Sequence, residues 1–97
     1  MTYGTVVTVP APIEAYLASH AEVQRATGDQ FPDGLIFHVA RPVDSGFEML
    51  EVWESKEQAD KFNEEVVGPA VGRTGADTSG PQPVVVEFEP VGLMVAK

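Results

Sequence analysis

The chain has 97 residues, of which 15 are acidic and 6 are basic, so its formal net charge is −9. This length predicts one domain over residues 1–97, with a core small enough that pairing with a second copy is expected. The acidic surface disfavours nucleic acid and membrane partners, and the lack of cysteine excludes thiol nucleophiles and thiolate metal sites. No basic-then-apolar leader or membrane-spanning run is visible, so a cytoplasmic protein is expected.

The first third of the chain predicts a strand followed by a helix. Residues 3–9 are rich in β-branched side chains, which favour a strand. Pro10 and Pro12 end this strand, and Pro12 suits the first turn of a helix. Apolar positions then recur at helical spacing to about residue 27, and Gly28 is placed to end the helix.

A hairpin and a second helix follow. Strands over 35–41 and 47–54 flank the sequence PVDSG, whose residues suit a turn. Ser55 and Gln58 predict a capping box, in which the hydroxyl and the amide each meet a free backbone N–H. The helix that begins there is expected to end at the Gly-Pro pair 68–69.

The end of the chain predicts a loop over 72–83 and a last strand over 84–89, bent by Pro90 and Gly92 before LMVA. The element order is βαββαβ, an α+β, ferredoxin-like arrangement with a four-stranded antiparallel sheet and both helices on one face. The other face would stay apolar and uncovered, and a second copy is the economical cover for it.

The segments GLIFHVARP and GFEMLEVWESKEQADKFNEEVVGPAV resemble the dimeric α/β-barrel superfamily, and most closely its small antibiotic-biosynthesis-monooxygenase-like members. The resemblance covers about residues 3–96. It implies that two ferredoxin-like subunits pack sheet to sheet as a homodimeric barrel, with a ligand pocket between each sheet and its own helices. Members include cofactor-independent quinone-forming monooxygenases, haem-degrading enzymes, lactone isomerases and polyketide cyclases, so the resemblance predicts the fold better than the activity.

Several positions depart from the haem-degrading relatives. Those enzymes carry a tryptophan in the second helix and a haem-ligating histidine after it, where this chain has Phe62 and about Gly72. The first strand offers Thr5 or Thr8 where those enzymes use an asparagine. Haem is therefore not expected, the simplest monooxygenase assignment is weakened, and no cofactor is predicted. The two histidines have no ligand-like spacing that would predict zinc.

His38 is the candidate catalytic residue, because a neutral imidazole in an apolar pocket accepts protons near physiological pH. Strand alternation places it on one sheet face with Ile36 and Ala40, and places Leu35 on the other. The alternative is a half-buried structural histidine, bonded to a backbone carbonyl or across a dimer.

The hairpin register decides what lies beside His38, and the sequence leaves two registers open. A five-residue loop would pair His38 with Leu50. A four-residue loop would set it beside Met49 and nearer Glu51. A slip of one residue turns every side chain of a strand to the other face.

Six further residues are candidates for substrate binding: Tyr16, His20, Trp53, Phe62, Asn63 and Glu51. Tyr16 and His20 are one helical turn apart, so they can face the same space and orient a phenol or a carbonyl. The alternative is a Tyr16 packed in the core with its hydroxyl at the rim and a solvated His20. Trp53 could stack on an aromatic ligand or anchor the second helix to the sheet.

Glu51 and Asn63 also have two interpretations each. A buried Glu51 carboxylate could act as a base, whereas an edge salt bridge with Arg41 is the alternative. Phe62 and Asn63 lie on the inner side predicted for the second helix. There Asn63 could hydrogen-bond a ligand, and exposure at the helix margin is its alternative.

Three functions fit these residues. The first is a cofactor-independent monooxygenase that deprotonates a small aromatic or polyketide-type substrate with His38. The second is an isomerase or cyclase that uses the same base on a carbonyl compound, with Tyr16 or Asn63 holding the oxyanion. The third is a non-catalytic homodimer that binds a small apolar or aromatic molecule. We rank the three in this order.

Overall fold

The structure is a computed structural model that describes residues 2–28, 30–75 and 79–94. In chain order its elements are β1 (Tyr3–Val9), α1 (Ile13–Thr27), β2 (Leu35–Val43), β3 (Gly46–Trp53), α2 (Lys56–Phe62), a π-helical turn (Asn63–Val67), α3 (Gly68–Arg73) and β4 (Val84–Phe88). The strands pair antiparallel in the order β2-β3-β1-β4. This confirms the predicted α+β, ferredoxin-like arrangement. Within the described ranges, no helix is long and apolar enough to cross a membrane.

The helices α1 and α2 pack on the same face of the sheet. The Tyr16 ring of α1 lies 5.7 Å from the Phe47 ring of β3, and the Phe62 ring of α2 lies 5.6 Å from the Trp53 ring of that strand. Phe47 and Trp53 are an even number of positions apart, so their side chains point to the same face. Both are buried, and they form the centre of the core.

The opposite face of the sheet has no helix over it among the described elements. A row of directly paired residues crosses this uncovered face from edge to edge, and all four are apolar: Val39, Leu50, Val6 and Val86. Val39 and Val86 remain exposed. A surface pocket of about 440 Å³ lies between this face and residues 88–94, with a mostly apolar lining. The expected uncovered apolar face is therefore confirmed.

The loop of the β2–β3 hairpin is shorter than either length expected from the sequence. It consists of Asp44 and Ser45, because Val43 already pairs with Gly46. Two-residue hairpin loops usually need positive φ in the loop itself. Here neither loop residue has one, and the positive φ falls on Gly46, at 148°.

This shorter loop corrects both predicted registers. His38 pairs directly with Glu51, rather than with Leu50 or beside Met49. Of the two predictions, only the nearness to Glu51 expected for a four-residue loop is confirmed. A bulge between Leu35 and Phe37 then lets Leu35 pair with Trp53. Because directly paired residues share a face, Leu35 lies on the helix-covered face with His38, and the predicted alternation fails at that residue.

The Gly68-Pro69 pair does not end the second helix, as the sequence had suggested. A proline ring in an α-helix lacks an N–H and presses against the carbonyl four residues earlier. The π-helical turn opens the register just before the proline, with the Gly68 N–H bonded to the Asn63 carbonyl. The helical path therefore continues to Arg73, and the predicted loop over 72–83 starts later. Residues 76–78 of that loop lie outside the described residues.

The helix ends follow the predicted signals with one difference. Gly28, at φ 67°, ends α1, and its N–H bonds to the Gln24 carbonyl at 2.8 Å. The Gln58 N–H donates to the Ser55 hydroxyl oxygen at 3.2 Å, which confirms the cap of α2. The Gln58 side chain, however, accepts a hydrogen bond from the Ser55 hydroxyl at 2.9 Å and does not complete the predicted box. The last strand ends at Phe88, one residue early, and residues 95–96 of LMVA lie outside the described residues.

We expect Gly46→Ala to lower the free energy of unfolding by about 1–3 kcal/mol. A Cβ there would overlap the Val9 carbonyl oxygen and the Ala11 backbone, at a φ that side chains rarely adopt. Urea unfolding at fixed protein concentration measures the change. Gly72→Ala is the matched control, because it lies in a helix with open space around it and should be neutral or slightly stabilising. Equal stability of Gly46→Ala and wild type would contradict this account of the hairpin.

Candidate functional site

The candidate site lies between α1 and the helix-covered face of the sheet. Direct pairing of His38 on β2 with Glu51 on β3 brings their side chains together on that face. Tyr16 reaches the same point from near the start of α1. Residues far apart in sequence are thus brought together by one strand pairing and one helix packing on it.

Four side chains are connected by hydrogen bonds. The Tyr16 Oη lies 2.7 Å from His38 Nε2, and His38 Nδ1 lies 2.7 Å from Glu51 Oε2. The second oxygen of Glu51 accepts a hydrogen bond from Trp53 Nε1 at 3.1 Å. A carboxylate only accepts, so a neutral imidazole in this arrangement donates from Nδ1 to Glu51 and accepts from Tyr16 at Nε2.

Three rings surround the Tyr16 ring and hold its position. The ring centroids of His20 and His38 lie 5.5 and 5.9 Å away, with interplanar angles of 22° and 17°. The third ring, Phe47, is tilted against it. Phe47 was not among the candidate residues. Its contact with Tyr16 could not be predicted, because the sequence did not determine the hairpin register.

The site is half-buried. The side chains of His38 and Glu51 are 23% and 19% exposed, so solvent reaches the group while much of it is shielded. On the other side of Glu51, the directly paired Thr5 of β1 is buried. Burial, and then the negative charge of Glu51, raise the pKa of Tyr16 above its ordinary value. The Tyr16 hydroxyl therefore keeps its proton at neutral pH and can serve as a donor.

The other sequence-predicted residues have different positions. The Trp53 side chain is 1% exposed, so its ring is not open to a ligand in this chain. It packs against Phe62 of α2 and donates a hydrogen bond to Glu51. Phe62 lines a separate surface pocket of about 130 Å³. His20 is exposed on the far side of the Tyr16 ring, and Asn63 is exposed where the π-helical turn begins.

The salt bridge that the sequence offered as an alternative for Glu51 is formed by another residue. Arg41 pairs with Glu48 at 3.1 Å, and Glu48 lies on the opposite face of β3 from Glu51. Across residues 2–28, 30–75 and 79–94, no three histidine, aspartate or glutamate side chains cluster as metal ligands would.

We expect Tyr16 to titrate above its ordinary pKa of 10.0, and the pKa to fall towards that value in Glu51→Gln. NMR of the tyrosine Cζ carbons measures both, with Tyr16→Phe to separate Tyr16 from Tyr3. Folding raises this pKa, so the contribution of Tyr16 to the free energy of unfolding is fully present below about pH 10. That contribution is lost as the pH rises through the folded-state pKa. Glu48→Gln, on the uncovered face, should leave the pKa of Tyr16 unchanged. An unchanged pKa in Glu51→Gln would contradict the assigned cause.

Comparisons with known proteins give structural neighbours only. No protein-family model matches the chain, and no curated protein matches it by sequence. Thirteen solved chains match its structure. A candidate antibiotic biosynthesis monooxygenase from Nitrosomonas europaea has 13% identity and a TM-score of 0.70, with 93% of this chain and 90% of that chain covered. Its counterpart from Caulobacter crescentus has 15% identity and a TM-score of 0.67, with 94% and 91% covered.

A third neighbour was solved with a ligand. It is a monooxygenase from the gene ActVA-Orf6 of Streptomyces coelicolor in complex with nanaomycin D. Its identity is 18% and its TM-score is 0.53, with 99% of this chain and 92% of that chain covered. At such identities the likeness establishes the fold and not the activity. The chain therefore shares its fold with solved structures named as antibiotic biosynthesis monooxygenases.

Proposed function

We propose that this protein is a cofactor-independent monooxygenase that acts on a small aromatic or polyketide-type substrate by base-assisted deprotonation. The observation that carries the proposal is His38, which lies 2.7 Å from Tyr16 on one side and 2.7 Å from Glu51 on the other. A carboxylate bonded to one imidazole nitrogen orients the ring and leaves the other nitrogen as its acceptor. The monooxygenase names of the structural neighbours, one of them with nanaomycin D bound, agree with this chemistry.

The proposed reaction converts a phenolic ring to a quinone. A phenol or dihydroquinone loses its hydroxyl proton towards His38, and the electron-rich anion then reacts with O₂ at a ring carbon. From a phenol, one atom of O₂ becomes the new quinone carbonyl, and from a dihydroquinone it becomes the hydroxyl of a hydroxyquinone. The other leaves as water with two hydrogen atoms from the substrate. The protein supplies the base, the positioning and partial exclusion of water.

We also propose that the protein is a homodimer that pairs through the uncovered face of the sheet. The apolar row across that face ends in exposed Val39 and Val86, and exposed Phe37 lies beside it. Contiguous exposed apolar surface of this kind marks an interaction site. A self-complementary face lets two copies cover each other about a two-fold axis.

Oxygen consumption with a dihydroxynaphthalene as the probe tests the activity. We expect uptake of one O₂ per hydroxynaphthoquinone formed, and a fall of about 100- to 10,000-fold in kcat for His38→Ala because the proton acceptor is lost. Glu48→Gln, a charge change on the opposite face of β3, should retain the rate. Lack of oxygen uptake, or a product with the mass of the substrate, would rule out the monooxygenase.

Light scattering after size exclusion tests the homodimer with two adjacent residues of β4. Val85 and Val86 are each 56% exposed but point to opposite faces of the sheet. We expect wild type and Val85→Lys to be dimers and Val86→Lys to be a monomer, since a buried lysine would lose its hydration. A monomeric wild type, or a dimeric Val86→Lys, would contradict the interface.

A further inference from the structure

The imidazole of His38 has both nitrogens occupied within the chain. Nδ1 faces Glu51 and Nε2 faces Tyr16, each at 2.7 Å. An imidazole nitrogen has one lone pair or one hydrogen. A substrate proton can therefore reach His38 only by displacing Tyr16 or by passing through its hydroxyl.

The Tyr16 hydroxyl is suited to the second route. A hydroxyl that donates its hydrogen still has two lone pairs with which to accept. Its ring is confined by His20, His38 and Phe47, so the oxygen is held in place against His38 Nε2. A confined hydroxyl with free lone pairs can accept a second hydrogen while it gives up its own.

We propose that Tyr16 is the group that touches the substrate, and that it relays the substrate's proton to His38 while Glu51 positions the imidazole. This relay rests on the proposed function and specifies how the proton moves. Tyr16 is then the catalytic residue in contact with the substrate, His38 is the final proton acceptor, and Glu51 is a positioning residue.

The proton movements balance. The substrate O–H bond breaks and its proton binds to the Tyr16 oxygen, while the Tyr16 hydrogen moves to His38 Nε2. Tyr16 ends as it began, the substrate becomes an anion, and the imidazole becomes a cation. Glu51 faces that cation at Nδ1. No electrons are exchanged in this step, so it needs no oxidant.

Trp53 explains why Glu51 can hold one orientation. Its Nε1–H donates to Oε1 of Glu51, which leaves Oε2 directed at His38. Because Trp53 is buried, its ring is a rigid donor. The carboxylate is thereby held by two donors, and His38 is held in the tautomer that leaves Nε2 free to accept.

The relay also narrows the substrate class. Proton transfer is most efficient between groups of similar acid strength. The relaying group is itself a phenol, so a phenolic or dihydroquinone hydroxyl is matched to it far better than a carbon-bound hydrogen. The preferred substrate is therefore a hydroxylated aromatic ring.

The relay predicts a specific tautomer that can be measured without turnover. Two-bond ¹⁵N–¹H correlation spectra of the histidines, recorded where the imidazole is neutral, should show His38 protonated at Nδ1 and bare at Nε2. In Glu51→Gln one amide oxygen must serve two donors, so the spectrum should change to a mixture of tautomers. Glu48→Gln is the control and should keep the wild-type spectrum.

Addition of a dihydroxynaphthalene to the same samples tests the contact. Because Tyr16 is the residue in contact with the substrate, we expect its Cζ resonance to shift on binding. A wild-type His38 protonated at Nε2, a tautomer unaffected by Glu51→Gln, or a Tyr16 resonance unaffected by bound ligand would each overturn the relay. These readouts do not depend on oxygen uptake, so the relay and the monooxygenase activity can fail separately.

Kinetics give a further test if the probe is turned over. Residues that act as one unit have non-additive effects. We expect Tyr16→Phe and His38→Ala to lose similar factors in kcat and their combination to lose no more. Glu51→Gln should lose roughly 10- to 100-fold, the range expected for a hydrogen bond to a charged group. Independent, multiplying losses for Tyr16→Phe and His38→Ala would contradict the relay.

Discussion

The direct pairing of His38 with Glu51 is the constraint on which the candidate site depends. It exists because the hairpin turns in two residues, and that turn relies on the positive φ of Gly46. A slip of one residue would replace Glu51 opposite His38 by an apolar neighbour on the wrong face. The chemistry of the site is therefore linked to the backbone of a turn that contributes no side chain to it.

The two faces of the sheet differ in polarity. The row of paired residues that contains His38 and Glu51 continues through Thr5 to Glu87, on the helix-covered face. The next row, on the uncovered face, is apolar from one edge to the other. Helix α1 covers the polar row and adds Tyr16 to it. The alternation of a strand thus places the hydrogen-bonded side chains of the candidate site on one face of the sheet and the apolar row on the other.

The helix-covered face owes part of its order to buried aromatic side chains. Trp53 packs against Phe62 while its Nε1 bonds to Glu51, so the same ring joins α2 to the sheet and orients the carboxylate. Phe47 packs against the ring of Tyr16 and so joins α1 to the sheet. Core packing and the geometry of the candidate site are therefore not separable at these positions. A substitution in either ring would alter both.

The sequence by itself determined the element order, the helix that ends at Gly28, the cap at Ser55 and the uncovered apolar face, because periodicity and local end signals are short-range. It also singled out His38, Tyr16 and Glu51 by residue type. Only the tertiary structure decided that these three side chains are in contact and that Trp53 is buried rather than open to a ligand. It also decided that Pro69 lies inside a continuous helical segment. Those outcomes depend on strand register and on packing between distant segments, which no local pattern in the chain encodes.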